Sequence, residues 1–561
     1  MTKRERARRR RLLTRTAPLG AVALLAFAAG IVYAGSPGRA EKHLVAEYVI
    51  DWEHSDFTKM YALLDPASRE RITESQFAAA YATAATTATA TAFRPLRVGG
   101  ANGSAIDVRM RVETSVFGKL REILTVPFTG SGSGARVHWT PTLVFPGLRA
   151  GEQLHRKTHL PPRASIFADN GVPLAEGPQR TSPIPEVANE IVGTLGSSPS
   201  AEPLYASEGF PAKAKVGQDG LELVFQQQLA GTPGGTLYAG TRVLAHTKPV
   251  PGIAAHTTID PTIEEAMINA VGSSYAGMVA MDPKTGAILA ADGIAWSDIQ
   301  PPGSTMKIVT ASAALQAHLV TLGTEFPVQS EADIDGYELQ NSNGEECGGT
   351  LLNAFAVSCN SVFAPLGVTV GAKRLVSMAE KFGFNQPSTI AGALESEIPS
   401  AATIGSSLSV GSSAIGQGMV EASPLEMTDI AATIADRGRR PIPSLVLGAK
   451  PKFVHVISRH VAEEVQQMMI AVVSSIGTGY TAEIPGVTVA GKTGTAELRD
   501  TANSDSTANT DAWFVGYAPA QDPEIVAGAL YPSAGFGAQT AAPAVRSVLI
   551  AAMAHKLPPG A

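Results

Sequence analysis

The sequence predicts a multidomain α+β protein carried behind a single N-terminal transmembrane helix. Three observations predict it. A charge-free run of bilayer length follows a basic leader. Residues 44–139 show helical spacing first and period-two alternation afterwards. From about residue 252 onward, strand signals stand at both ends of a helical middle. A chain of 561 residues has room for several domains, and 44% hydrophobic with 17% charged residues is an ordinary globular composition. The net charge of −6 carries no nucleic-acid signature, so nucleic acid is not an expected partner.

Residues 1–15 form a basic tail, with Lys3, Arg4, Arg6, Arg8, Arg9, Arg10, Arg11 and Arg15 against Glu5 alone. Residues 16–35 form the anchor: Ala17 to Ala34 contains no charged residue, and a span needs ~20 apolar residues. Basic residues on its N-terminal side keep that end in the cytoplasm. The expectation is a single-pass cell-membrane protein with its bulk extracytoplasmic. A cleaved signal peptide is the competing reading, but the run is longer than a typical signal core.

Residues 36–150 begin with the linker Ser36-Pro37-Gly38. Leu44, Val45, Tyr48, Val49 and Trp52 follow helical spacing. Ser55 can cap the next helix, and Thr73-Glu74-Ser75-Gln76 reads as a capping box before an Ala-rich helix. Ile106, Val108, Met110 and Val112 then alternate with polar residues, as do Leu124, Val126 and Phe128, and Val137 with Trp139 suggests a third strand. Helices followed by a strand meander predict an α+β domain with helices packed on one curved antiparallel sheet. Residues 151–251 are rich in Pro and Gly with few periodic stretches, as an extended linker domain would be. Residues 252–561 form the last domain. Asp260 can cap a helix with Pro261 at its first position. Strands are expected at Gly277–Met281, at Ala287–Ala291 and, late, over Val487–Gly494.

Three short motifs occur in order within that domain: Ser304-Thr305-Met306-Lys307, Ser358-Cys359-Asn360 and Lys492-Thr493-Gly494. Each alone is a weak string, but together their chemistry is coherent. A serine hydroxyl is a poor nucleophile at neutral pH and needs a neighbouring base. At i and i+3 on a helix, Lys307 stands beside Ser304, and a lysine pushed toward neutrality by burial or nearby positive charge can take its proton. The second motif adds a hydroxyl and an amide. The third adds a cation able to hold an anionic group. Ser304 follows Gln300-Pro301-Pro302-Gly303 and precedes an Ala-rich run, which places it at a helix start where free N–H groups favour developing negative charge.

Here the chain resembles the class B high-molecular-weight penicillin-binding proteins. The likeness extends over Thr258-Ile259-Asp260, the hairpin Val279–Leu289, Gly416-Gln417-Gly418 with Ser423-Pro424-Leu425, the segment Ala512–Pro519, and Arg163–Leu174 at the start of the linker domain. Residues 36–150, ending in Trp139–Pro146, resemble the nuclear-transport-factor-like domain of low-affinity, resistance-type members. The resemblance implies a penicillin-binding, β-lactamase-like transpeptidase domain. Its substrates would be peptidoglycan stem peptides ending in D-alanyl-D-alanine, and β-lactam antibiotics would acylate the same serine. It implies Ser304 as nucleophile, Lys307 as base, Ser358 as proton relay and Asn360 as the group that orients Lys307 and the substrate. Lys492, Thr493 and Thr495 would receive the terminal carboxylate, and Gly494 would let the strand approach the substrate. The backbone N–H groups of Ser304 and Thr495 would form the oxyanion hole. No metal and no organic cofactor is implied. A glycosyltransferase within a cell-wall synthesis complex is an expected partner.

Other readings are available for the same residues. Gly486 to Thr493 satisfies the P-loop expression, but the residues between are strand formers and Gly494 stands where a helix should begin. A β-lactam sensor that acylates without turnover would need a larger cytoplasmic part than some fifteen residues. A D,D-carboxypeptidase would use the same motifs. Cys347 and Cys359 are the chain's two cysteines. Outside the cytoplasm they can form a disulfide beside the second motif, or remain two buried thiols; spacing does not decide between these.

Overall fold

The computed structural model describes residues 38–197, 202–497 and 510–556. The expected basic tail and anchor lie outside the described residues. Among the described residues no single helix is long and apolar enough to cross a membrane. The chain forms two compact units. Among the described residues, one comprises 38–161, 197, 202–214 and 231–251; the other comprises 162–196, 215–230, 252–497 and 510–556.

In the first unit, the helix Arg39–Glu53 buries Leu44, Val45, Tyr48, Val49 and Trp52, as their spacing predicts. Ser55 does not cap the next helix. It takes a left-handed φ of 60° to turn the chain, and the Asp56 carboxylate caps Phe57–Ala62 by accepting from the Lys59 N–H. Thr73 and Gln76 do form a reciprocal capping box at the start of Glu74–Ala88. The sheet has four antiparallel strands in sequential order, Ala90–Asn102, Ala105–Thr114, Gly118–Thr129 and Arg136–Val137. The first of these is not legible in the sequence. It is an edge strand containing Pro95, and irregularities on both sides of Arg97 and Val98 break its alternation. Trp139 lies beyond the last strand, where its N–H donates to Ser68 Oγ. Helices and sheet meet through aromatic packing: Trp52 stacks on Phe93 and meets Tyr81 edge-on. A three-stranded sheet of Leu154–His159, Gly234–Ala239 and Arg242–Thr247 completes the unit.

The second unit is built on a five-stranded antiparallel sheet. Its order is Ile288–Gly293, Gly277–Met281, Ile525–Tyr531, Thr510–Ala518, Ala490–Glu497. The helix Pro261–Val271, capped by Asp260, and the helix Ala541–Lys556 cover one face through Ile263, Met267, Val545, Val548 and Leu549. The other face meets a helical lobe that includes Lys307–Gln316, Leu351–Ala356, Asn360–Val370, Pro424–Ala435 and Arg459–Val473. The late strand starts at Ala490, three residues after the expected Val487. Pro485 and Gly486, with φ 78° at the glycine, make a turn closed by an Ile484–Val487 bridge, and this turn consumes the first apolar residues. Ile166, Leu174, Val187, Leu221 and Leu229 share a buried cluster with Ile259, Val279 and Ile288. Beside it, the buried Glu222 carboxylate accepts from Arg163 and Arg180, both at 2.6 Å.

Candidate active site

The three motifs converge between the sheet and the helical lobe of the second unit. Ser304 lies in the 3-10 turn Gly303–Met306, which runs directly into Lys307–Gln316. Two glycines let this turn meet the edge strand. Gly303 has φ 52°, and a Cβ there would come within 2.7 Å of Thr495 O. A Cβ on Gly494 would stand 2.8 Å from Pro302 O and from Trp513 Cβ. The turn is held from behind, where Trp513 Nε1 donates to Pro301 O at 2.9 Å and the Gly303 N–H donates to Gly416 O at 2.9 Å. Among the described residues, strand Ala490–Glu497 pairs on one side only, with Thr510–Ala518. Its other edge presents backbone groups that an extended peptide can pair with.

Lys307 is fully buried. Its Nζ donates to Ser358 O at 2.6 Å and to Asn360 Oδ1 at 2.7 Å, and stands 3.4 Å from Ser358 Oγ. Burial, and then the nearby charge of Lys492, push its pKa well below the ordinary lysine value. A neutral amine has two hydrogens and one lone pair. The two short donations use both hydrogens, which leaves the lone pair to accept a proton. Among the described residues no hydrogen bond joins Lys307 to Ser304 Oγ; such contacts often tighten only when substrate binds.

Ser358 occupies the turn between Leu351–Ala356 and Asn360–Val370 with φ 62°, a costly backbone for a residue bearing a Cβ. That backbone turns its carbonyl toward Lys307 while its hydroxyl accepts from Lys492 Nζ at 2.8 Å. Lys492 also donates to Thr493 O at 2.9 Å, and burial holds its pKa down at about 7. Cys347 and Cys359 form a disulfide with Cα atoms 5.8 Å apart. The bridge ties the strand Cys347–Thr350 to the residue between Ser358 and Asn360. Asn341, buried beside it, accepts from the Ser361 N–H and donates to Gln329 O and Glu345 O.

Several residues of the site have no motif to announce them. Phe363 lies under Lys307 and Phe355 under Lys492, with nitrogen-to-centroid distances of 5.7 and 5.6 Å. The two rings meet edge-to-face at 5.7 Å. The Thr478 hydroxyl stands 2.5 Å from that of Thr493. Phe355 precedes Ser358 by three residues and Phe363 follows Asn360 by three, a spacing that reads in sequence as core packing. Residues 487–493 give no P-loop: Ala490–Glu497 is a continuous strand and no helix begins at Gly494.

The comparisons with known proteins fit this geometry. Residues 276–550 match the penicillin binding protein transpeptidase domain, residues 163–252 the penicillin-binding protein dimerisation domain, and residues 40–152 the NTF2-like N-terminal transpeptidase domain. The peptidoglycan D,D-transpeptidase PbpA of Mycolicibacterium smegmatis is 31% identical over 361 residues, which are 53% of this chain and 72% of that protein. Penicillin-binding protein 3 of Bacillus subtilis is 25% identical over 390 residues, 62% of this chain and 58% of that protein. Among solved structures, the imipenem acyl-enzyme complex of penicillin-binding protein A from M. tuberculosis superposes with a TM-score of 0.56 at 25% identity, covering 70% of this chain and 99% of that one. The D,D-transpeptidase domain of a peptidoglycan glycosyltransferase from Eggerthella lenta gives 0.57 at 28% identity, covering 71% and 99%. Three domain matches in order along one chain, and a relative above 30% identity across most of its own length, make this chain a member of the class B penicillin-binding proteins.

Proposed function

We propose that this protein cross-links peptidoglycan by acyl transfer through Ser304, and that β-lactams inhibit it by acylating the same serine. Ser304 Oγ attacks the carbonyl joining the last two residues of a D-alanyl-D-alanine stem peptide, and its proton passes to the neutral Lys307 amine. The N–H groups of Ser304 and Thr495 stabilise the oxyanion; one such donor is typically worth ~3–4 kcal/mol. The C–N bond breaks, and D-alanine leaves with a proton delivered through Ser358. An amine of a second stem peptide then attacks the ester, forms the cross-link and regenerates Ser304. Asn360 orients Lys307 and the substrate amide. Lys492, Thr493 and Thr495 receive the terminal carboxylate, and Gly494 admits the substrate to the strand edge. The observation that carries this reading is the environment of Lys307: a fully buried amine with both hydrogens engaged and a second lysine nearby.

The matched segments support a division into residues 36–150, 151–251 and 252–561. The basic leader and apolar run support a single-pass anchor at residues 16–35, with the basic tail 1–15 in the cytoplasm and the site outside. A glycosyltransferase that supplies uncross-linked strands is the expected partner.

Mass spectrometry after incubation with penicillin and, separately, with a D-alanyl-D-alanine pentapeptide plus acceptor amine tests the chemistry. The expected result is an adduct on the peptide containing Ser304, its loss in Ser304→Ala, and a transferred product. Stoichiometric labelling of Ser304→Ala would remove the nucleophile assignment. Hydrolysis alone at saturating acceptor would make the protein a carboxypeptidase.

A further inference from the structure

Thr478 lies on the turn that follows the helix Arg459–Val473, and it touches the third motif and the helix that leads to the second. Its hydroxyl is 2.5 Å from Thr493 Oγ1. Its N–H donates to Ala356 O at 3.1 Å, in the helix that leads to Ser358. The turn is held in place on both sides of it. The Gly479 N–H donates to Val472 O at 2.8 Å and the Gly477 N–H to Ser474 O at 2.9 Å, and a Cβ on Gly477 would stand 2.1 Å from Val472 O.

Proton counting leaves this contact two orientations. The two hydroxyls hold two hydrogens, and among the described residues neither hydroxyl has another hydrogen-bond partner. One hydrogen lies between the oxygens and the other is free. If Thr493 donates to Thr478, Thr493 shows only lone pairs to an incoming ligand and repels an anion. If Thr478 donates to Thr493, Thr493 keeps its own hydrogen to give. We propose that Thr478 is a positioning residue that donates to Thr493 while Thr493 donates to an anion, and so makes the site selective for substrates ending in a carboxylate. This rests on the reading in which Thr493 receives that carboxylate. With the anion bound, the chain runs from Thr478 to Thr493 to carboxylate. Each donor polarises the next, and the last bond is charge-assisted. A substrate with a neutral end accepts either orientation and gains nothing from Thr478.

The test is acylation of the full-length protein by a peptidyl thioester ending in a carboxylate and by its carboxamide counterpart. Thr478→Val removes the hydroxyl and keeps the shape and the backbone N–H. It is expected to lower acylation by the carboxylate form about tenfold, mainly through KM, and to change the carboxamide reaction by less than about twofold. Thr478→Ser should recover most of the loss. Equal losses on both thioesters, no loss on either, or a serine variant as poor as the valine variant would overturn the proposal. If Thr478→Val shows no melting transition, Thr478→Ala supplies the same comparison. Thr493→Val separates the two levels. If it spares the carboxylate thioester, the reading of Thr493 falls and Thr478 with it. If it is selective while Thr478→Val is silent, only the role of Thr478 falls.

Discussion

Two lysines share the site, and burial weakens the proton affinity of both, yet the tasks proposed for them need opposite charge states. Lys307 must be neutral to take the Ser304 proton, and the charge on Lys492 helps keep it so. In the proposed reading Lys492 is charged to hold a carboxylate, and burial brings its pKa down to about 7. The sign follows directly. As pH rises through about 7, Lys492 loses its proton, and the second-order rate of acylation by carboxylate-bearing substrates should fall. A neutral analogue should show no such falling limb. Acylation rates of both analogue types measured across pH check this, and a falling limb near 7 for both would assign the titration elsewhere. At this scale the sequence was most informative. Ser304, Lys307, Ser358, Asn360 and Lys492 stand in short strings whose chemistry makes sense only together. Phe355, Phe363 and Thr478 stayed hidden, because an aromatic at helical spacing looks like core and a loop threonine has no meaning until the fold places it against Thr493.

Elements were legible where one physical signal dominated. The helix Arg39–Glu53, the box at Thr73 and the cap at Asp260 follow from apolar spacing and side-chain oxygens at helix starts. Strand Ala90–Asn102 was not, because its irregular pairing breaks the period that sequence reading relies on. The late strand was found but shifted, since Val487 is a good strand former spent on a turn. The element with the most to lose is the turn holding Ser358 in its left-handed backbone. The disulfide from Cys347 closes a loop of twelve residues' separation onto Cys359, next to that turn. By the chain-entropy estimate such a loop contributes ~3 kcal/mol. Cys347→Ser with Cys359→Ser should therefore lower Tm by calorimetry. It should also slow penicillin acylation, because Ser358 and Asn360 lose their restraint. An unchanged acylation rate alongside a lower Tm would confine the bridge to stability.

For the whole molecule, the partition of residues 151–251 matters most. Composition marks this stretch as one linker, and the structure distributes it between two compact units. Residues 162–196 and 215–230 supply Ile166, Leu174, Leu221 and Leu229 to the buried cluster that also holds Ile259, Val279 and Ile288. A fragment starting at residue 252 would leave that apolar face uncovered. It should be less soluble, melt lower and label less completely with fluorescent penicillin than a fragment starting at residue 162. Equal behaviour of the two fragments would show that the cluster adds nothing to the catalytic unit. Alternation cannot reveal such a division, because it depends on which distant surface each short strand meets.

The order of the catalytic sheet also bears on time. Gly277–Met281 pairs with Ile525–Tyr531, and only through that strand and Thr510–Ala518 does the strand bearing Lys492 join the hairpin that precedes Ser304. The first strand made must wait for the last, a separation of some 250 residues that makes closure slow relative to local folding. A chain still being made thus carries Ser304 before the strand bearing Lys492 has joined the sheet. The antibiotic target does not exist until the strand Ile525–Tyr531 has been made. Stalled chains ending before residue 525 should fail to bind fluorescent penicillin, whereas chains stalled beyond the helix Ala541–Lys556 should bind it. Labelling of the shorter chains would mean that the site assembles without its central strand.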